Sequence, residues 1–196
     1  MKLHLGCGKH IMEGWINLDH MALPGVDIVA DLDAKSPEGR VSIPLGDNSV
    51  EEFYCAHVLE HIRYPLAMME ELHRIAKPGA VIQFSVPYGS SDGAWEDPTH
   101  VRPLFPESFG YFGQPYYHLA DYGYRGDWQI TQIQLHLPNG PLASEPDIEV
   151  IRQTIRRDRN VVGGMIAYLT AIKPIREQDV NLGYKPEIRY LFAIPQ

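Results

Sequence analysis

The strongest constraint on the fold is a glycine turn between two short apolar runs at the start of the chain. The first run, residues 3–5, ends at Gly6-Cys7-Gly8, and the second, residues 15–18, ends on Asp19. In nucleotide-binding α/β proteins, such glycines let the backbone approach a ligand, and a carboxylate at the end of the next strand accepts hydrogen bonds from ribose hydroxyls. The pattern therefore predicts a site for a ribosyl ligand.

The spacing of this segment narrows the kind of ligand. A dinucleotide site needs G-x-G-x-x-G, but Ile11 stands where the third glycine would be, and Asp19 follows Gly8 by only eleven residues. That interval leaves room for barely one helical turn between the strands. The phosphate-binding pattern G-x-x-x-x-G-K-[ST] is absent as well. The turn is therefore suited to a ribosyl ligand without a pyrophosphate.

Composition excludes several classes of protein. The 196 residues are enough for one domain with a full core, and the net charge of −8 disfavours nucleic acid as a partner. Two cysteines, Cys7 and Cys55, indicate free thiols in a reducing compartment. The sequence contains neither a signal peptide nor an apolar run of the roughly 18–20 residues that span a bilayer. We therefore expect a cytoplasmic protein without a membrane span.

The order of apolar runs predicts a mostly parallel α/β sheet. Short apolar runs alternate with helical or loop segments over residues 1–87, as in βαβ units, and one helix is predicted over 65–76 between Pro65 and the stop at Lys77-Pro78-Gly79. One of the two C-terminal strands is predicted to run antiparallel. The seven predicted strands are 2–5, 16–18, 27–30, 52–56, 80–86, 128–137 and 188–194.

The chain is predicted to form a single domain, 1–196, with three parts. Residues 1–87 form the half that holds the ribosyl ligand. Residues 88–126 are rich in Tyr, Gly, Pro, His and Phe and have little periodicity, which is typical of a functional loop or lid. Residues 127–196 contribute the last strands, with an inserted helical segment at about 146–180. The terminal strand could pair across a homodimer, which nothing in the sequence requires.

Five motifs in this order resemble the class I S-adenosylmethionine-dependent methyltransferases, most closely small bacterial-type members. The resemblance covers about residues 2–112, and Ala80 stands where the family has the second glycine of its P-G-G motif. It implies a Rossmann-like three-layer sandwich, S-adenosylmethionine as cofactor and S-adenosylhomocysteine as product. The motifs are LHLGCG, INLD, DIVADL, EEFYCAHVLEHI and LHRIAKPGAVIQFSVP.

The resemblance also implies roles for individual residues of the cofactor site. The glycine turn would face the methionine part, Asp19 would hold the ribose hydroxyls, and Asp31 would lie near the adenine amine. The helix that usually follows the turn is nearly deleted, so Lys9 or His10 would have to balance the methionine carboxylate. The predicted cofactor-binding residues are Gly6, Cys7, Gly8, Asp19, Asp31, Leu32, Ala56 and His57.

The motif after the fourth strand also matches a metalloprotease pattern. His57-Val58-Leu59-Glu60-His61 fits H-x-x-E-H, which needs both histidines on one helix. Here the motif straddles the end of a predicted strand, and the family resemblance explains it without a metal. The sequence therefore predicts no metal site. It leaves open whether His57, Glu60 and His61 hold a divalent ion or whether Glu60 and His61 only cap the loop.

The methyl acceptor is predicted to bind at residues 88–126, because ligands of open α/β sheets lie beyond the carboxyl ends of the strands. His100 is the predicted catalytic base and Asp97 its orienting partner. A loop histidine bonded to backbone is the equally weighted alternative. The expected enzyme, of EC 2.1.1 type, methylates an oxygen or nitrogen of a small molecule such as a sugar, lipid-linked or secondary-metabolite acceptor. A protein or nucleic-acid methyltransferase and a non-catalytic S-adenosylmethionine-binding module are the alternatives.

Overall fold

A computed structural model describes residues 1–33, 39–118, 120–138, 140–182 and 185–192. Within these residues, eight strands form one sheet in the order β3-β2-β1-β4-β5-β7-β6-β8. The elements are β1 (Lys2–Leu5), β2 (Ile16–Asp19), β3 (Ile28–Val29), β4 (Val50–Ala56), α1 (Pro65–Ile75), β5 (Ala76–Pro87), β6 (Trp128–Leu137), α2 (Ile148–Arg157), β7 (Gly164–Ala171) and β8 (Glu187–Phe192).

The strand directions confirm the predicted fold class. Strands β1 to β5 pair in parallel, β8 pairs in parallel with β6, and β7 alone runs antiparallel to both of its neighbours, β5 and β6. This is a mostly parallel α/β sheet with one antiparallel strand near the C-terminus. The carboxyl ends of β1, β2, β4 and β5 consequently meet at one edge of the sheet, where ligands of such sheets bind.

The strand count differs from the predicted seven, because β7 lies within the segment predicted to be helical, 146–180. The helix there ends at Arg157, and Gly164–Ala171 is a strand. Met165, Ala167 and Leu169 are buried, but Ile166 and Tyr168 on the opposite face are also apolar. Because apolar residues lie on both faces, the segment lacks the alternation of polar and apolar residues that predicts a strand. The predicted terminal strand 188–194 is described as Glu187–Phe192, and residues 193–194 lie outside the described part.

One face of the sheet carries the core and both helices. Trp128 on β6 donates from Nε1 to the carbonyl oxygen of Met69 on α1 at 3.1 Å, and its ring lies edge-on to Phe53 on β4 at 5.8 Å. Helix α2 joins this face near β8, where Arg152 Nε donates to the hydroxyl of Tyr190 at 3.3 Å. The buried side chains of α1 and α2 therefore pack against the same side of the sheet.

The opposite face is covered differently. Tyr54, Gln83 and Tyr168 are register partners on β4, β5 and β7, and all three are only partly buried. No α-helix among the described residues packs on this face. Trp15 lies there instead, with its ring 6.5 Å from that of Tyr54. The interval of eleven residues between Gly8 and Asp19 is too short for the helix that would build the third layer of a sandwich.

In the described ranges, no helix is both long and apolar enough to cross a lipid bilayer.

Candidate active site

The glycine turn after β1 brings two carboxyl strand ends together. Gly6 has a φ of +63°, and a Cβ at this position would lie 2.2 Å from Cγ2 of Val58, so the turn passes directly against the segment after β4. Gly8 has a φ of +51°, but the space that its Cβ would occupy is open. Its amide donates to Asp19 Oδ2 at 2.8 Å. Glycine is required at Gly6 by both contact and backbone conformation.

Asp19 ends β2 with its carboxylate held in place by backbone amides. The residue is 6% exposed, and Oδ1 accepts a hydrogen bond from the amide of Met21 at 2.9 Å. Burial alone would raise the pKa of Asp19, but the amides of Met21 and Gly8 outweigh burial and hold this pKa below its usual value. The side chain is therefore a fixed anion, and each oxygen keeps a lone pair for a hydroxyl donor.

A cavity of about 300 Å³ lies against this turn. Five of the eight predicted cofactor-binding residues line it: Gly6, Asp19, Asp31, Leu32 and His57. The other three do not. Cys7 is 1% exposed and does not line the cavity. Gly8 and Ala56 do not line it either, although each lies within two residues of one that does. The full lining is Gly6, Asp19, His20, Ala30, Asp31, Leu32, Asp33, His57, Val58, His61 and Ile62.

Asp33 also lines this cavity, although the sequence did not single it out. Its Oδ1 accepts hydrogen bonds from the amides of Arg63 at 2.9 Å and Tyr64 at 3.1 Å, at the start of α1. Oδ1 of Asp31 accepts the amide of Asp33 at 2.9 Å. The loop after β3 is thereby joined to the segment after β4. The joined residues are about thirty positions apart in sequence, so no local signal revealed this contact.

The H-x-x-E-H segment is a turn and not an α-helix. β4 ends at Ala56, His57 adopts a φ of +54°, and a single 3-10 turn spans Leu59–His61. The amide of His57 donates to the carbonyl oxygen of Ser85 at 2.9 Å, which ties the turn to β5. A positive φ at a non-glycine residue is uncommon and often marks a functional site. The helical histidine pair of a metalloprotease is therefore not formed.

A second cavity, of about 600 Å³, adjoins the first, and His57 and His61 line both. Its walls come from the ends of β5 and β7, from β6 and from the loop after β5. Glu96, His136 and the Gly163-Gly164 pair belong to this wall, and none of them was singled out from the sequence as part of the site. The lining is His57, His61, Ser85, Val86, Pro87, Gly93, Glu96, Asp97, His100, His136, Gly163, Gly164, Met165 and Ile166.

The structure brings both predicted catalytic residues to the second cavity, but it does not pair them as predicted. His100 Nε2 lies 3.9 Å from Asp97 Oδ2, which is beyond hydrogen-bond distance. Asp97 Oδ1 instead accepts the Thr99 hydroxyl at 2.6 Å, and this bond lowers the pKa of Asp97. His100 is oriented by the Ala94 carbonyl oxygen, 3.1 Å from Nδ1. Asp97 therefore positions Thr99 rather than His100.

Much of the aromatic segment 88–126 belongs to the core. Phe109 is fully buried, with its ring 5.8 Å from Phe84 on β5, and Phe112 packs edge-on to it at 6.1 Å. The backbone here is mainly two 3-10 segments, Pro106–Phe112 and Gln114–His118. These rings hold the loop against the sheet, and the polar residues 93–100 face the cavity.

Comparison with known proteins gives one match of sequence and several of structure. A family model described as a methyltransferase domain matches residues 3–84. No curated protein matches the sequence. A SAM-dependent methyltransferase from Archaeoglobus fulgidus has 17% identity over 86% of this chain and 85% of its own, with a TM-score of 0.49.

Two further structures have a similar extent of alignment. A SAM-dependent methyltransferase from Methanosarcina mazei has 12% identity over 87% of this chain and 92% of its own, with a TM-score of 0.47. An S-adenosylmethionine-dependent methyltransferase from Mesorhizobium loti has 15% identity over 86% of this chain and 89% of its own, with a TM-score of 0.46.

Proposed function

Residues 3–84 are a methyltransferase domain of the class I, S-adenosylmethionine-dependent family, and from this premise we propose that the chain methylates an oxygen or nitrogen of a small polar acceptor. Residues 1–87 bind the cofactor, and residues 88–126 form the loop that binds the acceptor. The acceptor cavity is completed by β6 and β7. The acceptor is a sugar, lipid-linked or secondary-metabolite molecule.

The residues of the first cavity fit the cofactor. Gly6 lets the backbone approach the methionine part, Asp19 is a fixed anion for the ribose hydroxyls, and Asp31 with Leu32 borders the adenine. When bound, the cofactor supplies an electrophilic methyl group on a positively charged sulfur. The protein's own contribution is to hold that group at the side of the cavity lined by His57 and His61.

The observation that carries the proposal is the shared wall of the two cavities. His57 and His61 line both, so a ligand in the first cavity and a ligand in the second meet across these two side chains. Methyl transfer is an in-line displacement, and holding donor and acceptor in contact provides much of the rate enhancement. Adjacent cavities of about 300 and 600 Å³ provide that arrangement.

The polar groups of the second cavity favour a small, uncharged or cationic acceptor. Glu96 and Asp97 contribute carboxylates to its wall, while His57, His61 and His100 contribute imidazoles. A volume of about 600 Å³ lies in the range of small-molecule pockets. The carboxylates would repel a phosphate backbone, in agreement with the net charge of −8. A hydroxyl or amine on a small molecule is the acceptor that this wall suits.

His100 is the side chain placed to act on that acceptor. Because Nδ1 lies against a carbonyl oxygen, it must carry the proton, which leaves the Nε2 lone pair free. A free lone pair in the acceptor cavity can take a proton from a hydroxyl or ammonium group. Asp97 acts on the site through Thr99, whose hydroxyl lies 3.0 Å from Nδ1 of His61.

Two measurements test the proposal in sequence. Calorimetry with S-adenosylmethionine and S-adenosylhomocysteine should give binding in the micromolar range, weakened by Asp19→Ala. Asp27→Ala is the matched control, because Asp27 accepts the Asn17 amide at 2.7 Å but does not line the cavity. Small-molecule acceptors are then screened by release of S-adenosylhomocysteine. Binding of both ligands weaker than millimolar, unchanged in Asp19→Ala, would refute the proposal.

A further inference from the structure

Glu60 is a buried carboxylate without a hydrogen-bond partner. The residue is 2% exposed, and neither of its carboxylate oxygens accepts a hydrogen bond from any described residue. His57 Nδ1 lies 3.3 Å from Oε1, but not in hydrogen-bond geometry. Burying an unpaired carboxylate is costly, and buried charges in native proteins are usually paired or coordinate a metal. This side chain therefore needs a partner of positive charge.

Two histidines lie beside this carboxylate. One ligand atom from each of Glu60, His61 and His100 lies within 4.8 Å of the others, and no second group of this kind occurs among the described residues. The two imidazole rings have centroids 4.7 Å apart and are inclined at 73°. Around an ion with ligand distances of about 2.0–2.2 Å, neighbouring ligand atoms are about 3–3.5 Å apart. The three atoms lie up to 4.8 Å apart, so the side chains must move closer together to reach an ion.

The hydrogen bonds of the two histidines leave the same nitrogen free on each. The Thr99 hydroxyl donates to Asp97, so His61 Nδ1, 3.0 Å from Thr99 Oγ1, must be the donor in that contact. His100 Nδ1 donates to the Ala94 carbonyl oxygen. Both rings therefore carry the proton on Nδ1 and a lone pair on Nε2. Histidines that bind metals typically have their other nitrogen bonded to a carbonyl or an acidic group in this way.

From these contacts we propose that Glu60, His61 and His100 bind a divalent transition-metal or zinc ion. Two imidazole nitrogens and one carboxylate oxygen suit zinc, manganese, iron or cobalt, whereas magnesium and calcium prefer oxygen ligands. The backbone holds the two halves of the site together, because the Val101 amide donates to the Glu60 carbonyl oxygen at 2.9 Å. The sequence left open a divalent ion at His57, Glu60 and His61, but it did not indicate His100 as a ligand, since His100 is distant from the H-x-x-E-H motif.

The position of the site suggests its use, which rests on the proposed function. His61 and His100 both line the acceptor cavity, so an ion held by three protein ligands has open positions towards an acceptor hydroxyl. Coordination lowers the pKa of such a hydroxyl, whose proton then passes to water near neutral pH. In that state the His100 lone pair binds the ion, and the ion replaces His100 as the group that activates the acceptor.

Metal binding is tested on the tag-free full chain after treatment with a chelator. Calorimetry with zinc and the visible absorption spectrum with cobalt should each show one equivalent bound, and magnesium should not compete. Glu60→Gln and His100→Ala should each weaken binding by about 100-fold, and Thr99→Val, which removes only an orienting bond, by about tenfold. His136→Ala is the matched control, because His136 lines the same cavity outside the three ligands, and it should bind zinc like the wild type.

Two readouts separate this inference from the proposed function. S-adenosylhomocysteine binding by each variant shows that it is folded, and Thr99→Val keeps the test available if Glu60→Gln does not fold. Cofactor binding without metal binding, or zinc affinity unchanged in Glu60→Gln, His100→Ala and Thr99→Val, would overturn the metal site alone. Metal binding without cofactor binding would overturn the proposed function and leave the metal site standing.

Discussion

The two adjoining cavities are built in different ways, although they share His57 and His61. The first cavity, the proposed cofactor site, consists of strand ends and the turns directly after them, with Asp19 fixed by backbone amides. The second cavity, the proposed acceptor site, is assembled from the loop after β5, from β6 and from β7, through bonds between side chains such as that of Thr99 to Asp97. Backbone geometry therefore dominates the first cavity and side-chain chemistry the second.

Because backbone geometry dominates the first cavity, we expect the largest loss of stability and of cofactor binding from a substitution at Gly6. Gly6→Ala places a Cβ 2.2 Å from Val58 Cγ2 in a backbone conformation with a φ of +63°. The left-handed conformation costs an alanine about 1–2 kcal/mol, and displacing Val58 adds about 1–3 kcal/mol. We expect urea unfolding to show a loss of about 2–5 kcal/mol in the free energy of unfolding, and calorimetry to show loss of cofactor binding.

Gly8→Ala is the control for this prediction. Gly8 has a similar positive φ of +51°, but nothing lies within 4 Å of its missing Cβ. The variant should lose only the conformational part of the stability, about 1–2 kcal/mol. The double variant Gly6→Ala with Val58→Ala should recover the stability that Gly6→Ala loses through contact with the Val58 side chain. Equal destabilisation by Gly6→Ala and Gly8→Ala would show that contact with the β4 turn does not shape the site.

The second-largest effect is expected at Asp19, where the substitution removes a carboxylate that would bind the cofactor. Asp19→Asn keeps the shape of the side chain but replaces a charged acceptor with a neutral amide. Hydrogen bonds to charged groups contribute about 1.5–3 kcal/mol, so the dissociation constant for S-adenosylhomocysteine should rise about 10- to 100-fold. Asp27→Asn should leave that constant unchanged in the same calorimetric measurement. A rise in both variants would point to general loosening of β2.

The first cavity could be predicted from the sequence better than the second, because it depends on backbone geometry rather than on contacts between side chains. The turn at Gly6, the acid at Asp19 and the parallel strands were predictable because each depends on neighbours in sequence and on strand ends that must meet. The pairing of Thr99 with Asp97 and His61 was not, since it depends on where a loop without periodicity comes to rest. Cys7 does not line the first cavity, because its motif position predicts the turn but not the direction of its side chain.

The missed strand β7 has a related cause. Its buried Met165, Ala167 and Leu169 alternate with Ile166 and Tyr168, which lie on the sheet face where no α-helix of the described part of the chain packs. Residues on that face are partly apolar, so the segment has no clear alternation of polar and apolar residues. The consequence for the site is direct, because β7 begins at Gly164 and contributes Met165 to the acceptor wall.

In the second cavity, Thr99→Val is expected to have a smaller effect than Asp19→Asn. It should lower turnover and leave cofactor affinity nearly unchanged. The substitution keeps the volume but removes the hydroxyl that links Asp97 to His61. A hydrogen bond of this kind contributes about 1–2 kcal/mol, so turnover of an identified acceptor should fall about 5- to 30-fold. Cofactor affinity should stay within about twofold, and Thr99→Ser should restore turnover. A parallel loss of cofactor affinity would mean that the two cavities are not separable.

The smallest effect expected is a cofactor affinity that hardly depends on pH between 5.5 and 7.0. The pKa of Asp19 is held below its usual value, so its contribution to binding is lost only as the pH falls through that lowered pKa, well below this window. His20 has its Nδ1 3.1 Å from Asp19 Oδ1, but its side chain is 70% exposed, and such exposed pairs contribute little. The cofactor's amino group stays protonated throughout. Calorimetry at pH 5.5 and 7.0 should therefore give dissociation constants within about threefold of each other, both for the wild type and for His20→Ala. A tenfold weakening at pH 5.5 that persists in His20→Ala would show that Asp19 is not the fixed anion on which the backbone-built cavity depends.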